Sequence, residues 1–287
     1  MVNVEKRFMS KKQTYVILGS NGFVGKKLVE TLIDQEIRLI PRDMYCDFYG
    51  LKDYLEKINP DYIINCSAYG NMSFQNDIDA IYQINVINSL NLLQASKDLN
   101  YKSLILIGSS SEYGEKSNKM KESDLPETNT FYGASKVAQT YLGIAYAQQF
   151  DKPIKIVRPF SIYGEGEAEF RFIPTIIKSI ETGEQFNLVK EPKHDWIYID
   201  DFISGLLKIC HCDKVGIFNI GTGKQYSNIQ VVEMLEKIIG KKANYKEIKS
   251  LRNFDLQNWV ADNSRLKSME WKPRSLMQGL KKTYENN

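Results

Sequence analysis

The sequence is poor in the residues that build metal sites and disulfide frameworks. Only 4 of its 287 residues are cysteine and 2 are histidine. The cysteines, at positions 46, 66, 210 and 212, lack framework spacing. Cys210 and Cys212 flank His211, but two sulfurs without a second pair make a poor zinc site, and Cys210 continues the apolar face of a predicted helix. We therefore expect no metal centre.

Long apolar runs and a strong charge of one sign are also missing. No run reaches membrane-spanning length and no apolar export segment precedes the first predicted strand, so we expect a soluble, cytoplasmic chain without a membrane contact. Lys and Arg number 38 against 35 Asp and Glu, and the net charge of +3 is dispersed. This balance predicts no nucleic-acid surface, so an acidic ligand must meet a local positive cluster.

What the chain does contain is a regular alternation of short apolar runs and amphipathic segments. With 43% hydrophobic and 25% charged residues, it is long enough for a large core. The alternation predicts an α/β fold with a doubly wound parallel sheet. The predicted strands are 15–18, 38–40, 62–65, 103–107 and 154–157, and the predicted helices are 24–33, 51–58, 78–99, 132–150, 173–182, 202–209 and 228–240.

A glycine-rich turn joins the first strand to the first helix. In GSNGFVG, backbone must approach a ligand closely and helix N–H groups point at it, which suits a pyrophosphate. The spacing G-x-x-G-x-x-G differs from the dinucleotide fingerprint, and a tight strand–helix turn is the structural alternative. Its position at the first strand favours the ligand site. The residues assigned to it are Gly19, Asn21, Gly22, Phe23, Val24 and Gly25.

The residues after the second strand indicate which dinucleotide binds. An acidic residue there holds the ribose hydroxyls of NAD, whereas an arginine accommodates the 2′-phosphate of NADP. Arg42 precedes Asp43, so NADP is favoured, with NAD as the alternative if Asp43 takes the ribose and Arg42 is a solvated charge. Asp47 could accept from the adenine amino group, and Phe48 is placed in the same site.

Three regions follow from these patterns. Residues 1–12 are polar and basic and predict a loose extension. Residues 13–160 predict the dinucleotide-binding domain, with returning segments near 195–222. The alternation loosens beyond Pro159, so residues 161–287 are expected to form mainly a smaller α/β lobe that binds the substrate.

Tyr132 and Lys136 lie four residues apart in FYGASK and share one helix face. A tyrosine with a pKa near 10 is a poor acid–base catalyst at neutral pH, but a nearby ammonium and an oxidised nicotinamide would lower its pKa. The serines of GSSSEYG follow strand 103–107, at the sheet edge where parallel sheets build their sites. Taken alone, the Tyr132 and Lys136 pair is also typical of the exposed start of a helix. The serines are likewise typical of a polar turn.

The ordered set of motifs resembles the extended short-chain dehydrogenase/reductase family, in its nucleotide-sugar branch of epimerases, dehydratases and keto-sugar reductases. The similarity runs from about Tyr15 to the C-terminus. It rests on GSNGFVG, IINCSAYG, INVINSLNLL, SSSEYG, YGASK, RPFSIYG, HDWIYIDD and FNIGTG. The resemblance implies a Rossmann sheet and a homodimer joined by a four-helix bundle of the predicted helices 78–99 and 132–150.

The resemblance also implies roles for single residues. Tyr132 is the acid/base, Lys136 positions the cofactor and the tyrosine, and Ser109 is the third catalytic residue, with Ser110 and Ser111 as alternatives. Further cofactor contacts are implied at Cys66, Ser67, Ala68, Pro159 and Ser161.

A nucleotide-diphosphate sugar, the implied substrate, needs positive and aromatic groups in the smaller lobe. The candidate contacts, with the serines at the sheet edge, are Tyr69, Ser110, Ser111, Ser161, Arg171, Phe172, Lys193, His194 and Arg252. His194 stands where many members have arginine, so Lys193 or Arg252 could replace it, and each charge could instead be solvated. Phe172 and Trp196 pack either on the base or in the core.

The choice within the family depends on two features. Ser109, Ser110 and Ser111 stand where sugar 4,6-dehydratases carry T-D-E, which sets dehydration aside. Arg42 and the short connection before the third strand favour an NADPH-dependent reductase of the C4 ketone of a 4-keto-6-deoxysugar, and NCSAYG, FRFIPTIIKSI and LKSMEWKP resemble the CDP-abequose and CDP-paratose branch. Such an enzyme serves deoxysugar and polysaccharide biosynthesis. The alternatives are an NAD-dependent C4 epimerase and, from another class, a non-catalytic NADP-binding regulator.

Overall fold

A sheet of six parallel strands forms the centre of the structure, a computed structural model that describes residues 12–249 and 258–286. These strands are β1 (Thr14–Leu18), β2 (Glu36–Ile40), β3 (Tyr62–Asn65), β4 (Ser103–Ile107), β5 (Ile154–Pro159) and β10 (Gly216–Ile220). Their order across the sheet is β2, β1, β3, β4, β5, β10. The chain thus runs outward in both directions from the junction of β1 and β3, and the predicted doubly wound α/β fold is confirmed.

Short strands beyond β5 form three two-stranded pairs. They are β6 (Ser161–Tyr163), β7 (Phe186–Leu188), β8 (Lys193–His194), β9 (Trp196–Tyr198), β11 (Tyr226–Ser227) and β12 (Tyr245–Glu247). β6 pairs with β9 and β7 with β12 in parallel, and β8 pairs with β11 in antiparallel. This is the region where the alternation of the sequence loosens.

The helices cover both faces of the sheet and build the rest of the smaller lobe. They are α1 (Phe23–Thr31), α2 (Arg42–Cys46), α3 (Phe48–Ile58), α4 (Ile78–Tyr82), α5 (Asn88–Ser96), α6 (Phe131–Gln149), α7 (Phe172–Thr182), α8 (Ile199–Cys210), α9 (Asn228–Ile239), α10 (Ser264–Lys267) and α11 (Leu276–Glu285). A π-helical turn, Gln83–Ile87, joins α4 to α5, so the helix predicted over 78–99 contains a local change of winding. No helix within the described ranges is long and apolar enough to cross a membrane.

Alternate residues of the central strands pack on opposite faces. Val16 and Leu18 lie in a buried cluster with residues of α3 and α5, whereas Tyr15 and Ile17 lie in a second cluster with residues of α1 and α8. Because both faces are covered, the inner strands are apolar along nearly their whole length. That property made them readable as strands in the sequence.

The segment Cys210 to Cys212 has structural contacts at the end of α8. Lys155, 1% exposed, donates through Nζ to the carbonyl oxygens of Ile209 (2.9 Å) and Cys210 (3.0 Å), and also to that of Cys212. The ring Nε2 of His211 lies 2.7 Å from the Tyr15 hydroxyl. A buried ammonium therefore satisfies carbonyls at the C-terminal end of α8, where a cation is electrostatically favoured.

Candidate active site

The carboxyl ends of four neighbouring strands meet at one edge of the sheet. Gly19 follows β1, Cys66 follows β3, Ser109 follows β4 shortly downstream, and Pro159 ends β5. Ligands of doubly wound sheets bind in the crevice at this edge. The fold therefore brings together the turn, loop and serine residues that the sequence analysis had selected separately.

Two glycines of the turn between β1 and α1 are required by the packing of the backbone, independently of any ligand. Gly19 has a φ of +74°, and a Cβ there would lie 2.6 Å from the backbone nitrogen of Ser67. A Cβ on the buried Gly25 would overlap the carbonyl oxygen of Gly19. The turn thus packs tightly against both the loop after β3 and the start of α1.

Gly22 is different, because a Cβ there would meet only the Gly19 carbonyl oxygen, at 3.4 Å. It is the N-cap of α1, and no side chain accepts a hydrogen bond from the first turn. The N–H groups that begin a helix have no intrahelical acceptor. Open space beside Gly22 and uncapped N–H groups together fit a phosphate group, and Asn21, Phe23 and Val24 lie around it.

The residues proposed to select the dinucleotide lie on a short helix that the sequence did not predict. Arg42 and Asp43 are exposed in the first turn of α2, which begins after Pro41. Asp47 is the N-cap of α3, and its Oδ1 accepts from the Tyr49 N–H at 3.1 Å. One carboxylate oxygen of Asp47 is therefore engaged in capping, and the half-buried Phe48 beside it stacks edge-on against Tyr49.

Tyr132 and Lys136 lie in the first two turns of α6. Thr130 caps this helix by accepting from the Gly133 N–H at 3.0 Å. A Cβ on Gly133 would lie 2.8 Å from the carbonyl oxygen of Ser111, so the missing side chain lets α6 approach the Ser109 turn closely. Gly133, one of the small residues between the tyrosine and the lysine, thus serves close packing.

The environment of Tyr132 and Lys136 changes the proton affinity of both. The pKa of Tyr132 is raised to about 12, and burial is the largest cause. The Glu112 charge also raises it, whereas a hydrogen bond with Ser109 and the Arg171 charge lower it. Burial lowers the pKa of Lys136 to about 8, and Glu112 and Cys66 act in the opposite direction. Tyr132 therefore interacts with Ser109, and the charge of Glu112 acts on both Tyr132 and Lys136.

The buried lysine also tests whether a dinucleotide fits. Lys136 is 0% exposed, and its Nζ has no hydrogen-bond partner within the described part of the chain. A buried ammonium without a partner is costly, so this atom calls for an acceptor supplied by a ligand. Ribose hydroxyls are such acceptors. With the open glycine turn, this orphaned group shows that the residues present fit a bound dinucleotide.

The loop after β3 is tied to α6 by Asn85, in the π-helical turn. Its Oδ1 accepts from the Tyr69 N–H at 3.0 Å, and its Nδ2 donates to the Tyr69 carbonyl at 2.7 Å and to the Ser135 hydroxyl at 2.9 Å. Ser135 in turn donates to the carbonyl oxygen of Tyr132 at 2.7 Å. Tyr69 is thereby linked through Asn85 and Ser135 to the backbone of Tyr132, and Cys66, earlier in the same loop, acts on the pKa of Lys136. Burial raises the pKa of the Cys66 thiol to about 12.

The remaining serines have other partners. Ser110 accepts through Oγ from Trp259 Nε1 at 3.1 Å, and the Ser111 N–H donates to Ser109 Oγ at 3.0 Å. Ser161, on β6, donates its N–H to the Asp195 carbonyl at 2.9 Å.

The substrate candidates of the smaller lobe do not all converge. Arg171, the N-cap of α7, lies 3.6 Å through Nε from Glu167 Oε1, and its charge acts on Tyr132. Phe172 stacks on the buried Trp196, with ring centroids 5.7 Å apart, so both rings pack in the core. Lys193 and His194 form β8, and the His194 ring contacts Trp196. Arg252 lies outside the described residues.

Sequence reasoning passed over Glu112, which proves to be fully buried beneath Ser109. Ser109 and Glu112 form a capping box, in which the serine side chain and the glutamate side chain each accept a backbone N–H. The spacing S-x-x-E in SSSEYG was the available signal. The sequence analysis assigned roles only to the serines of this motif.

Comparison with known proteins agrees with this geometry. A UDP-glucuronate 4-epimerase of Thermodesulfobacterium geofontis is 31% identical over 251 residues, which covers 83% of this chain and 75% of that protein. The structure of Bacillus cereus UDP-glucuronic acid 4-epimerase, in complex with UDP-glucuronic acid and NAD, has a TM-score of 0.84 at 25% identity and covers 95% of this chain and 98% of that one.

A third protein shares the fold at lower identity. The UDP-N-acetylglucosamine 4-epimerase of Methanobrevibacter ruminantium M1 has a TM-score of 0.88 at 23% identity and covers 96% of this chain and 98% of that one. A sequence model described as the NAD dependent epimerase/dehydratase family matches residues 15–221, from β1 through β10. This match spans most of the chain, and the chain belongs to the NAD dependent epimerase/dehydratase family.

Proposed function

We propose that the protein is a nucleotide-sugar C4 epimerase that uses a tightly held NAD. The observation that carries this proposal is Tyr132 interacting with Ser109, with the buried and unpartnered Lys136 ammonium on the same helix face and a glycine turn suited to a pyrophosphate. The relatives at 31% and 25% identity are both 4-epimerases, which supports epimerisation over the reduction that Arg42 favours in the sequence.

The chain's own residues have separate tasks in this proposal. NAD held at this site would supply the uptake and return of a hydride at C4 of the sugar. Tyr132 accepts the proton of the C4 hydroxyl and later gives it back, and Ser109 hydrogen-bonds the same oxygen. Lys136 stays protonated, holds the ribose and stabilises the phenolate of Tyr132 by its charge.

The assignment of the other residues follows the fold. The backbone of Gly19 to Gly25 holds the pyrophosphate, the segment after β2 meets the adenosine ribose, and the loop after β3 with Pro159 and Ser161 lines the nicotinamide. The diphosphate and sugar of the substrate then lie between Tyr69, the Ser109 turn and Arg171. A UDP-sugar is the first substrate to test, since the relatives are named for UDP-sugars.

A direct test combines cofactor identity with turnover. Protein denatured after purification should release NAD in stoichiometric amount, and it should interconvert UDP-glucuronate or UDP-glucose with the C4 epimer without added cofactor. Product formed in heavy water should carry no deuterium at C4, because the hydride returns to the carbon it left. Tyr132→Phe should lower the rate about 10²- to 10⁴-fold, the usual contribution of a positioned acid–base group.

Two results would count against the proposal. Undiminished activity of Tyr132→Phe would remove the mechanism. An absence of C4 epimerisation across UDP-, CDP-, GDP- and dTDP-sugars would remove the epimerase, and an additional absence of turnover across a panel of keto sugars with NADPH would favour a non-catalytic, dinucleotide-binding role.

An NADPH-dependent C4 ketoreductase is the second candidate, and a specific observation favours it. β2 and β3 are separated only by residues 41–61, and the exposed Arg42 stands in the first turn of α2 where a 2′-phosphate would lie. The same experiment separates the two candidates. Release of no dinucleotide, together with consumption of NADPH by a 4-keto-6-deoxysugar nucleotide, would establish the reductase.

We also propose a homodimer formed through α4, α5 and α6. Exposed apolar side chains lie on α4 (Ile78 and Tyr82), on the π-helical turn before α5 (Ile87) and on α6 (Phe131 and Tyr141). Such a surface on neighbouring helices is suited to a four-helix bundle with a second copy.

A further inference from the structure

Glu112 is a charged residue in an unusual position. It ends the 3₁₀ turn Ser110–Glu112 directly after β4, and it is 0% exposed. Acidic side chains are almost never fully buried unless they are paired. The partners of its two carboxylate oxygens therefore indicate what holds it there.

Each oxygen of Glu112 has a different set of partners. Oε1 accepts from the backbone N–H of Ser109 at 2.9 Å. Oε2 accepts from the Thr140 hydroxyl at 2.8 Å and from Arg158 at 2.9 Å (Nε) and 2.7 Å (Nη2). One carboxylate thus connects the Ser109 turn, the middle of α6 and β5, which are the elements that carry or flank the proposed catalytic residues.

The backbone beneath the turn leaves room for this carboxylate. A Cβ on Gly108 would lie 2.5 Å from Glu112 Oε1. Arg158, 1% exposed, is fixed on its other side by the Tyr113 ring, whose centroid lies 4.5 Å from the guanidinium carbon. Glu112 therefore occupies a site built around it rather than a gap in the packing.

The charges around the proposed catalytic pair are few. Lys136 faces Glu112 and Cys66, and Tyr132 faces Glu112 and Arg171 as well as the Ser109 hydroxyl. Burial keeps the Cys66 thiol protonated at neutral pH by raising its pKa to about 12. Thr140, which donates to Glu112 Oε2, follows Lys136 by four residues on the same face of α6, and this places the carboxylate beside the lysine. Within the described residues, Glu112 is thus the carboxylate whose charge acts on both Tyr132 and Lys136.

We propose that Glu112 is a positioning residue with two separable tasks: Oε1 orients Ser109 through its backbone N–H, and the carboxylate charge balances the buried Lys136 ammonium. This inference rests on the proposed roles of Ser109, Tyr132 and Lys136. It assigns to Glu112 no contact with the substrate.

The charge has a directional consequence. A negative neighbour raises the pKa of a lysine, because it stabilises the ammonium, and raises the pKa of a tyrosine, because it destabilises the phenolate. Glu112 does both. Removing the charge while keeping the shape, as in Glu112→Gln, should therefore lower both pKa values and move the whole pH–rate profile toward acid.

The experiment compares pH–rate profiles of the whole enzyme. We expect both limbs of the Glu112→Gln profile to move by about one pH unit toward acid, as for one charge acting through a partly screened medium. A second readout needs no turnover: the ionisation of Tyr132, followed by phenolate absorbance with NAD added, is isolated by subtracting the same protein carrying Tyr132→Phe. It too should move toward acid, so the inference can be judged even if the proposed reaction is wrong.

Two control variants keep the charge. Thr140→Val removes one hydrogen bond to the same carboxylate and should leave the profile where it is. Glu112→Asp keeps the charge but is too short to reach the Ser109 N–H, so it should lower kcat about tenfold or more with little movement of the profile. A loss of packing alone would lower kcat in every variant and move no limb.

The outcomes decide each task. A Glu112→Gln protein whose profile and Tyr132 ionisation coincide with the wild type overturns the charge role, and a Glu112→Asp protein with unchanged kcat overturns the orienting role. Glu112→Gln leaves the Arg158 guanidinium buried without its partner and could fail to fold. In that event the double variant Glu112→Met, Arg158→Met removes both buried charges, and its Tyr132 ionisation should still move toward acid.

Discussion

Glu167 stands out among the side chains near the substrate end, because its surroundings conflict with its charge. The side chain is 7% exposed, Oε1 lies 3.6 Å from Arg171 Nε, and Oε2 is buried without a hydrogen-bond partner in the part of the chain described. Burial raises the pKa of Glu167 to about 7, and the Arg171 charge offsets only part of this effect. The residue therefore titrates near neutral pH.

The pKa of Glu167 predicts how stability depends on pH. Since the folded protein holds this proton more tightly than the unfolded chain, the group stabilises the fold below about pH 4.5 and loses that contribution as pH rises through about 7. The shift corresponds to roughly 3 kcal/mol. Glu167→Gln should remove this loss, so the free energy of unfolding of the variant relative to wild type should grow between about pH 5 and about pH 8.

The measurement is denaturant unfolding at both pH values. Glu169→Gln, an exposed change in the same loop, is the matched control and should show the same difference from wild type at each pH. A Glu167→Gln difference that does not vary with pH would contradict the assignment.

At the scale of elements, the turn between β1 and α1 contains one glycine that packing requires and another that we expect ligand binding to require. Gly25 is required by packing between α1 and the Gly19 carbonyl, whereas the space beside Gly22 is nearly free of protein atoms. Gly25→Ala should therefore destabilise the protein by about 1–3 kcal/mol, as overpacking does. Gly22→Ala should destabilise the protein by about 1 kcal/mol or less: φ of −79° and ψ of 167° are allowed for alanine, so the cost is only that alanine is a poorer N-cap than glycine.

Of the same two variants, Gly22→Ala should show the larger loss of NAD affinity, although it has the smaller effect on stability. A methyl group on Gly22 occupies the position from which the pyrophosphate would approach, so Gly22→Ala should weaken NAD binding about tenfold or more. Thermal unfolding and NAD titration of both variants check these outcomes. Unimpaired NAD binding by Gly22→Ala would place the pyrophosphate elsewhere.

Sequence patterns predicted the elements that are buried on both faces better than those at the surface. The run Tyr62–Asn65 could be read as a strand because every residue in it is buried, and Tyr132 and Lys136 could be paired because an α-helix fixes residues four apart on one face. The short helix α2 has little periodicity in five residues, so Arg42 and Asp43 were read as residues that follow a strand and not as the start of a helix. Glu112 and Glu167 were missed, since burial of a charge depends on partners distant in the sequence.

At the scale of the whole molecule, α6, α4 and the π-helical turn between α4 and α5 expose large apolar side chains. Tyr141 is 52% exposed and Ile87 44% exposed. If this surface is the proposed dimer interface, a charge placed on it without a partner should prevent association, because desolvating that charge is costly.

Tyr141→Asp should therefore convert a dimer to a monomer at micromolar concentration, as measured by light scattering on an eluting peak. Val215→Asp is the control, since Val215 is 49% exposed just before β10, away from these helices, and should leave the mass unchanged. A wild-type protein that is already monomeric, or a Tyr141→Asp protein that remains dimeric, would contradict the proposed interface.

The π-helical turn Gln83–Ile87 shifts every later side chain by one sequence position relative to a continuous α-helix. A π turn holds one more residue than an α turn, and each residue of an α-helix advances the side-chain direction by about 100°. The exposed side chains of α4 thus lie before the extra residue of the π turn, and the buried side chains of α5, such as Leu92 and Leu93, lie after it. Deleting a single residue within Gln83–Ile87 would turn it into an α turn and leave the two halves in their present relative orientation, whereas the same deletion within α4 or α5 would rotate one half against the other by about 100°.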